Sequence, residues 1–364
     1  MNFFLLILIL LMFHGAKFAP AGIHEDYLSR EHALNLRGVF TIIIVMTHYM
    51  LYFPYTNPGN EQFTYVWTFL DQLVVVVYLF FNGYGTVLSV EKKGWPYARN
   101  LLIHKLPDTW LKYALVTCLV LAVHSFMQLK YTLGSVLMAF TGWHHFYHDD
   151  QWYVVMILFM YALFFLAYLP LRRHSGEKAL KICTGVAAVL CCGLIFVISR
   201  KKDYYWYNTM PAMLLGMGWA LYHRPVEKLL ERSGALYAAC LMMCALGLYV
   251  FRIHQDESLL NMFMLVILFM VTILLCSMKV SLNNPLLAFF GSHSFTIYLT
   301  MRIPMLVLQR YELVYSQPAI CLLLILLCSA GLGMAVDRAG DALSQRLHPV
   351  IDRLADRVEG RLSK

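Results

Sequence analysis

The chain has 364 residues, 60% of them hydrophobic and 14% charged, and its mean hydropathy is +0.61. That apolar share exceeds what an ordinary soluble domain carries and calls for lipid as solvent. The net charge of +8 does not mark a nucleic-acid binder, because the basic residues lie mostly in short loops between apolar runs, where the positive-inside bias puts them.

The chain opens on MNFFLLILILLMFHGAKFA, which imitates the apolar core of a signal peptide but lacks its basic start. An extra helix running from outside to inside, or an interfacial segment, is the expectation for it. Runs long enough to cross about 30 Å of hydrocarbon then lie near Leu34 to Phe53, Thr64 to Val90, Leu106 to Met127, Gln151 to Leu171 and Leu180 to Ser199. Five more lie near Tyr207 to Tyr222, Gly234 to Phe251, Leu259 to Met278, Leu286 to Leu308 and Pro318 to Val336. The fold class expected is therefore all-α, a polytopic membrane bundle of about ten helices.

If the end before Leu34 is cytoplasmic, the inward loops hold Lys92, Lys93, Arg99 and Lys105, then Arg172, Arg173 and Lys178, then Arg224, Lys228 and Arg232. This bias puts both ends of the core in the cytoplasm, although Arg200, Lys201 and Lys202 then face outward. Three parts follow: an N-terminal apolar segment over 1–27, a multi-span domain over 28–337, and a basic amphipathic cytoplasmic tail over 338–364. The tail is expected to lie on the membrane or in solution. All nine cysteines fall inside apolar runs, where a thiol behaves as a small hydrophobe, so neither a disulfide frame nor a zinc site follows from them.

The first span carries Arg37 near its cytoplasmic end and His48 well inside. Eleven steps at about 100° return to within roughly 20° of the same face, about 16 Å further along the axis. An ionisable residue inside a span is a functional hypothesis by default, and histidine is the side chain that takes and returns a proton near neutral pH. A histidine bonded across helices for structural reasons is the equal alternative. Asp71 and Arg302 are the other charges placed inside spans. Asp71 either orients His48 or pairs with Arg302, which is positioned to steady an oxyanion, and a purely structural pair of the two fits as well.

The second span ends in YLFFNGYGTVLS, where Gly83 and Gly85 admit the close approach of another backbone or of a flat ligand beside Tyr84. The loop after it mixes Lys92, Lys93, Arg99, His104 and Lys105 with Trp95 and Tyr97. Such a surface suits anionic lipid headgroups, and equally the phosphates and base of a nucleotide thioester. Further on, GWHHFYHDDQWY gathers His144, His145, His148, Asp149 and Asp150 on the outward side. Although His144 and His148 share helical spacing, no third ligand is fixed, so a solvated acceptor-binding loop is preferred to a metal site. Trp152 is read there as a stacking platform for a sugar or as a belt residue. No nucleophile elbow, Walker loop or dinucleotide fingerprint occurs, which disfavours a serine hydrolase of the soluble type, an ATPase and a dehydrogenase.

Four stretches in order resemble the acyltransferase-3 family of membrane O-acyltransferases. They are Arg37 to His48 within LRGVFTIIIVMTH, LFFNGYG from Leu79, DDQWYVVMILFMY from Asp149, and NPLLAFFGSHSFTIYL from Asn284. The likeness spans Asn35 to about Leu308. It implies a roughly ten-helix enzyme moving an acyl group, acetyl by expectation, from cytoplasmic acetyl-CoA to a hydroxyl of an extracytoplasmic cell-surface glycan.

The resemblance makes His48 the essential histidine and Arg37 a donor-binding or site-fixing residue, with Arg99 and Lys105 on the CoA phosphates. Gly83 and Tyr84 are then assigned to the donor, and His145, His148, Asp150 and Trp152 to the acceptor. It implies a bacterial inner or plasma membrane and no permanently bound cofactor. The chain departs from the family pattern in carrying Asn100, His104 and Lys105 before Pro107 in place of paired arginines, Asn82 in place of serine, and Arg302 where some members have a histidine nearby. The competing class is a transporter of a lipid-linked or small anionic solute that uses His48, Asp71 and Arg302 as its coupling site.

Overall fold

The computed structural model describes residues 2–20, 22–53, 61–143, 152–254, 256, 258–311 and 313–362. In chain order the helices are α1 (Asn2–Phe13), α2 (Arg30–Tyr52), α3 (Glu61–Leu70), α4 (Val76–Lys93), α5 (Trp95–Asn100), α6 (Leu106–Phe126), α7 (Leu133–Ala139), α8 (Trp152–Tyr168) and α9 (Glu177–Ser199). They continue with α10 (Pro211–Glu231), α11 (Gly234–Ile253), α12 (Leu259–Lys279), α13 (Pro285–Ser292), α14 (Ser294–Thr300), α15 (Arg302–Leu308), α16 (Leu313–Ser316) and α17 (Pro318–Leu362). One two-residue antiparallel pairing, β1 (Lys17–Phe18) with β2 (Val280–Ser281), is the only sheet among the described residues.

Eight helical stretches among the described residues are long and apolar enough to span a membrane. The all-α polytopic class expected from hydropathy is the class observed. Two of the ten apolar runs take other forms. The run near Tyr207 becomes α10, whose last turns carry Arg224, Pro225, Glu227 and Lys228, and the run near Leu286 is divided into α13, α14 and α15.

The chain forms two compact units, one of residues 1–86 and 203–331, the other of 87–202 and 332–364. In the first, α2 is central: 72% of its most apolar window is buried, against 11% for α11, whose Met242, Met243 and Leu246 are exposed and suited to lipid. Without a hydrophobic drive between helices in lipid, close approach depends on small residues. Gly38 of α2 and Gly291 of α13 supply it, since a Cβ at Gly38 would collide with the Leu287 carbonyl and one at Gly291 with that of Leu34.

Polar groups fasten the same pair. Asn35 accepts from the Asn284 backbone N–H at 2.8 Å, His32 accepts from the Leu282 N–H at 3.0 Å, and Asn284 caps α13 by accepting from the Leu286 and Leu287 N–H groups. α1, at 12 residues, is about 18 Å long, well short of the hydrocarbon thickness. It belongs to the first unit, where Asn284 donates to the Leu11 carbonyl and Asn2 accepts from the Phe63 N–H. Ahead of α2, Tyr27 donates to Glu227 at 2.5 Å and accepts from Trp219 at 3.2 Å. Burial first, and the Glu227 carboxylate second, raise this phenol well above the usual tyrosine range, so it stays a donor.

In the second unit, α5 and α6 form one stretch interrupted by a π turn over Leu101–Lys105. Pro107, which follows it, has no N–H to bond the Ile103 carbonyl, and the register widens there. α17 runs unbroken past residue 337, so the tail expected to begin there is the continuation of a spanning helix.

Candidate active site

Arg37 and His48 sit on α2 as the spacing predicts, and α14 meets both. Arg37 Nη2 donates to Ser294 Oγ at 2.7 Å, while the His48 ring packs edge-on to Tyr298 with centroids 6.2 Å apart. Ser294 and Tyr298 are one helical turn apart, so a single face of α14 holds both α2 side chains. The Arg37 guanidinium lies 5.7 Å from the Tyr78 ring centre, and the Arg37 carbonyl accepts from Thr41 Oγ1 at 2.7 Å and from the Tyr78 hydroxyl at 2.8 Å. Thr41 is itself buried against α13, where its hydroxyl reaches the Phe290 carbonyl at 3.4 Å.

Arg37 Nε is buried and has no hydrogen-bond partner among the described residues. A buried cationic N–H left open in this way is costly unless something anionic or carbonyl-like meets it. The guanidinium is therefore anchored through Nη2 and Tyr78 while one of its donors stays available. His48, further along the same face, is half-buried.

The other expected catalytic pair is not brought together. Asp71 lies 3.7 Å from Arg252 of α11, and Arg302, buried at the start of α15, lies over the Tyr52 ring at 5.8 Å. Spans in sequence order gave no reason to expect Arg252, which sits near the end of a different helix.

Of the residues assigned to the donor, Gly83 is pressed against backbone: a Cβ there would strike the Met213 carbonyl, and one at Gly216 would strike that of Phe80. Its use is helix crossing between α4 and α10, which fills the space a flat ligand would need. Tyr84 is buried and stacks on Phe80 at 6.0 Å.

In the second unit, Arg99 pairs with Asp356 at 2.6 Å and Lys105 donates to the Tyr97 hydroxyl at 2.6 Å while lying 4.6 Å from that ring's centre. Asp356 belongs to an acidic stripe of α17. Asp352 meets His104 at 2.9 Å, and Asp337 and Asp341 meet Lys112 at 2.7 and 2.9 Å. The tail read from the sequence as basic thus uses its acidic face against the basic loop. Beside Arg99 opens a largely apolar cavity of about 430 Å³, with Trp95, Pro107, Phe165 and Leu354 in its walls and Arg172 as its second cation.

Among the acceptor residues, Trp152 is buried at 4% exposure with its ring edge-on to Tyr153, which is core packing and not an open stacking face. His145, His148 and Asp150 lie outside the described residues.

Ser294, Tyr298, Tyr78 and Thr41 were absent from the residues picked out by chemistry, yet they build the site. The signal that could have found Ser294 and Tyr298 was the late Gly-x-x-Ser-x-x-x-Tyr pattern. Gly291 admits α2, Ser294 holds Arg37 and Tyr298 packs on His48.

The fold is that of a multi-pass membrane helix bundle. The sequence profile of the acyltransferase-3 family, described as an acyltransferase domain, matches residues 32–336, and the chain belongs to that family. No curated protein and no solved structure matches the chain. Membership favours the enzyme over the transporter reading, which drew on the same His48, Asp71 and Arg302.

Proposed function

We propose that the protein transfers an acetyl group from cytoplasmic acetyl-CoA to a hydroxyl of an extracytoplasmic cell-surface glycan, in a bacterial inner or plasma membrane with both ends of the span core inside. The observation that carries the reading is the arrangement of His48 and an Arg37 with one open donor on a single face of α2, held by Ser294 and Tyr298. His48 accepts the proton of the acceptor hydroxyl as its oxygen attacks the thioester carbonyl. The new C–O bond forms, the C–S bond breaks, and the proton passes to the departing thiolate of CoA. Arg37, about 16 Å from His48 along α2, faces the donor's anionic groups.

In the second unit, the 430 Å³ cavity with Arg99, Arg172, Trp95 and Phe165 supports a ligand with a flat base and phosphates, as CoA has. Its phosphates must displace Asp356 from Arg99. Asp356 is 71% exposed, and an ion pair with so exposed a partner is weak enough to yield to a polyanion.

The test is a donor and acceptor panel in membranes containing the protein: labelled acetyl-CoA, labelled succinyl-CoA, and the host's own surface glycan. Label on the glycan from acetyl-CoA, removable by mild base as an ester, is expected. Transfer from succinyl-CoA alone, or label on lipid with none on glycan, would overturn the assignment of donor or acceptor.

A further inference from the structure

α3 and α4 belong to one apolar stretch, Glu61–Lys93, that is broken by a 3-10 turn at Asp71–Val75. Asp71 enters that turn with φ of 41°, a left-handed conformation that L-residues other than glycine seldom adopt. Broken backbone within a spanning stretch is tolerated where it is buried in protein or lines a cavity. Here it lines one. Asp71 and Gln72 from the turn, Asn208 and Thr209 just ahead of α10, and Arg252 of α11 surround a small cleft of about 20 Å³, closed on one side by apolar residues of α12.

The cleft is chemically lopsided. Gln72 Oε1, Asn208 Oδ1 and Thr209 Oγ1 are all buried without a hydrogen-bond partner among the described residues, and Thr209 and Asn208 are 0% and 8% exposed. Buried polar atoms are rarely left so, because each forfeits the hydration it had in water. Asp71 and Arg252 pair at 3.7 Å, and Arg252 also donates to the Thr68 carbonyl. The two opposite charges leave the cleft near neutral overall, which disfavours a cation as its occupant. What three oxygen acceptors in a neutral cleft require is an O–H donor, and the volume is that of one water-sized group.

We infer that this cleft is a subsite for a non-reacting hydroxyl of the acceptor sugar. The inference rests on the glycan-acceptor reading above and adds to it the place where the acceptor is recognised. The turn packs on α2, the helix that carries His48. A sugar hydroxyl seated there donates its one O–H to the Asn208 or the Gln72 side-chain oxygen and accepts from the Thr209 hydroxyl or from Arg252. Sites built to bond a hydroxyl discriminate strongly against analogues that lack it, because their own polar groups are then left unmet. Asp71 thereby becomes a positioning residue of the subsite, through Arg252, and not a partner of His48.

The experiment is equilibrium dialysis of labelled oligosaccharide, released from the host's surface glycan and de-O-acetylated, against the full-length protein in detergent. Acceptor and donor KM for acetyl transfer are measured alongside. Thr209→Val keeps shape and removes the hydroxyl, and Gln72→Met is the second variant should the first fail to fold. At least tenfold weaker oligosaccharide binding and a raised acceptor KM are expected, with the KM for acetyl-CoA unchanged. Equal binding by wild type and both variants overturns the subsite. Absence of binding in the wild type, with transfer proceeding at an unchanged acceptor KM in the variants, overturns the subsite and leaves the reaction standing. Binding lost in the variants from a wild type that transfers no acetyl would instead remove the proposed reaction and keep the subsite.

Discussion

The α2, α13 and α14 core of the first unit and the basic loop with α17 in the second hold their charged groups in opposite ways. Arg37 is fixed by one bond to buried Ser294 and by the Tyr78 ring, on helices whose backbones touch through Gly38 and Gly291. Arg99 and His104 are met by carboxylates on an outer helix face, of which Asp356 is largely exposed. The first arrangement is over-determined and suits preorganised chemistry, where misplacement by about 1 Å costs rate. The second is exchangeable and suits a ligand that arrives and leaves. Residues of similar charge thus differ in function according to what would have to move to free them.

The contrast is broken most severely at the helix crossing. Gly291→Leu forces α13 off α2, and about 3 kcal/mol or more of destabilisation is expected from overpacking against backbone that cannot yield. Thermal unfolding in detergent, with Gly85→Ala as the comparison, checks it, because nothing lies within 4 Å of a Cβ at Gly85. Equal unfolding temperatures for the two variants would refute the role given to Gly291.

Next in size is Arg37→Lys. An ammonium cannot donate to Ser294 and present a second in-plane donor at once, nor stack as a guanidinium does. Transfer should fall at least tenfold, about 1.4 kcal/mol, at equal protein level and unchanged thermal stability. Activity within twofold of wild type would mean that charge alone suffices there.

The smallest effect belongs to the second unit. Asp356→Asn should lower the KM for acetyl-CoA by about twofold to fivefold at low salt, with the gain fading as ionic strength rises, since exposed charges are screened. An unchanged KM at every salt concentration would remove Arg99 from the donor's path.

How much of this was legible in the sequence follows the same division. Hydropathy located the spans, and the eleven-residue spacing placed Arg37 and His48 on one face, because helical periodicity depends only on local geometry. Which helix would meet that face is a tertiary matter. Ser294 and Tyr298 lie some 250 residues downstream and carry no charge to draw attention in a span. Asp71 stands out in the sequence as a charge within an apolar stretch, yet its partner is Arg252, because a 3-10 break, invisible in hydropathy, turns it toward α11. The α17 tail was read by its arginines, although the acidic residues recurring along one helix face were what met the loop. Net composition hid a stripe that periodicity contained.

The most direct test of the account is single-turnover acetyl transfer from labelled acetyl-CoA to host glycan by His48→Ala, at protein level and unfolding temperature matched to wild type. The account predicts that the variant still binds acetyl-CoA but places no label on glycan. Transfer at the wild-type rate by a well-folded His48→Ala protein would contradict it.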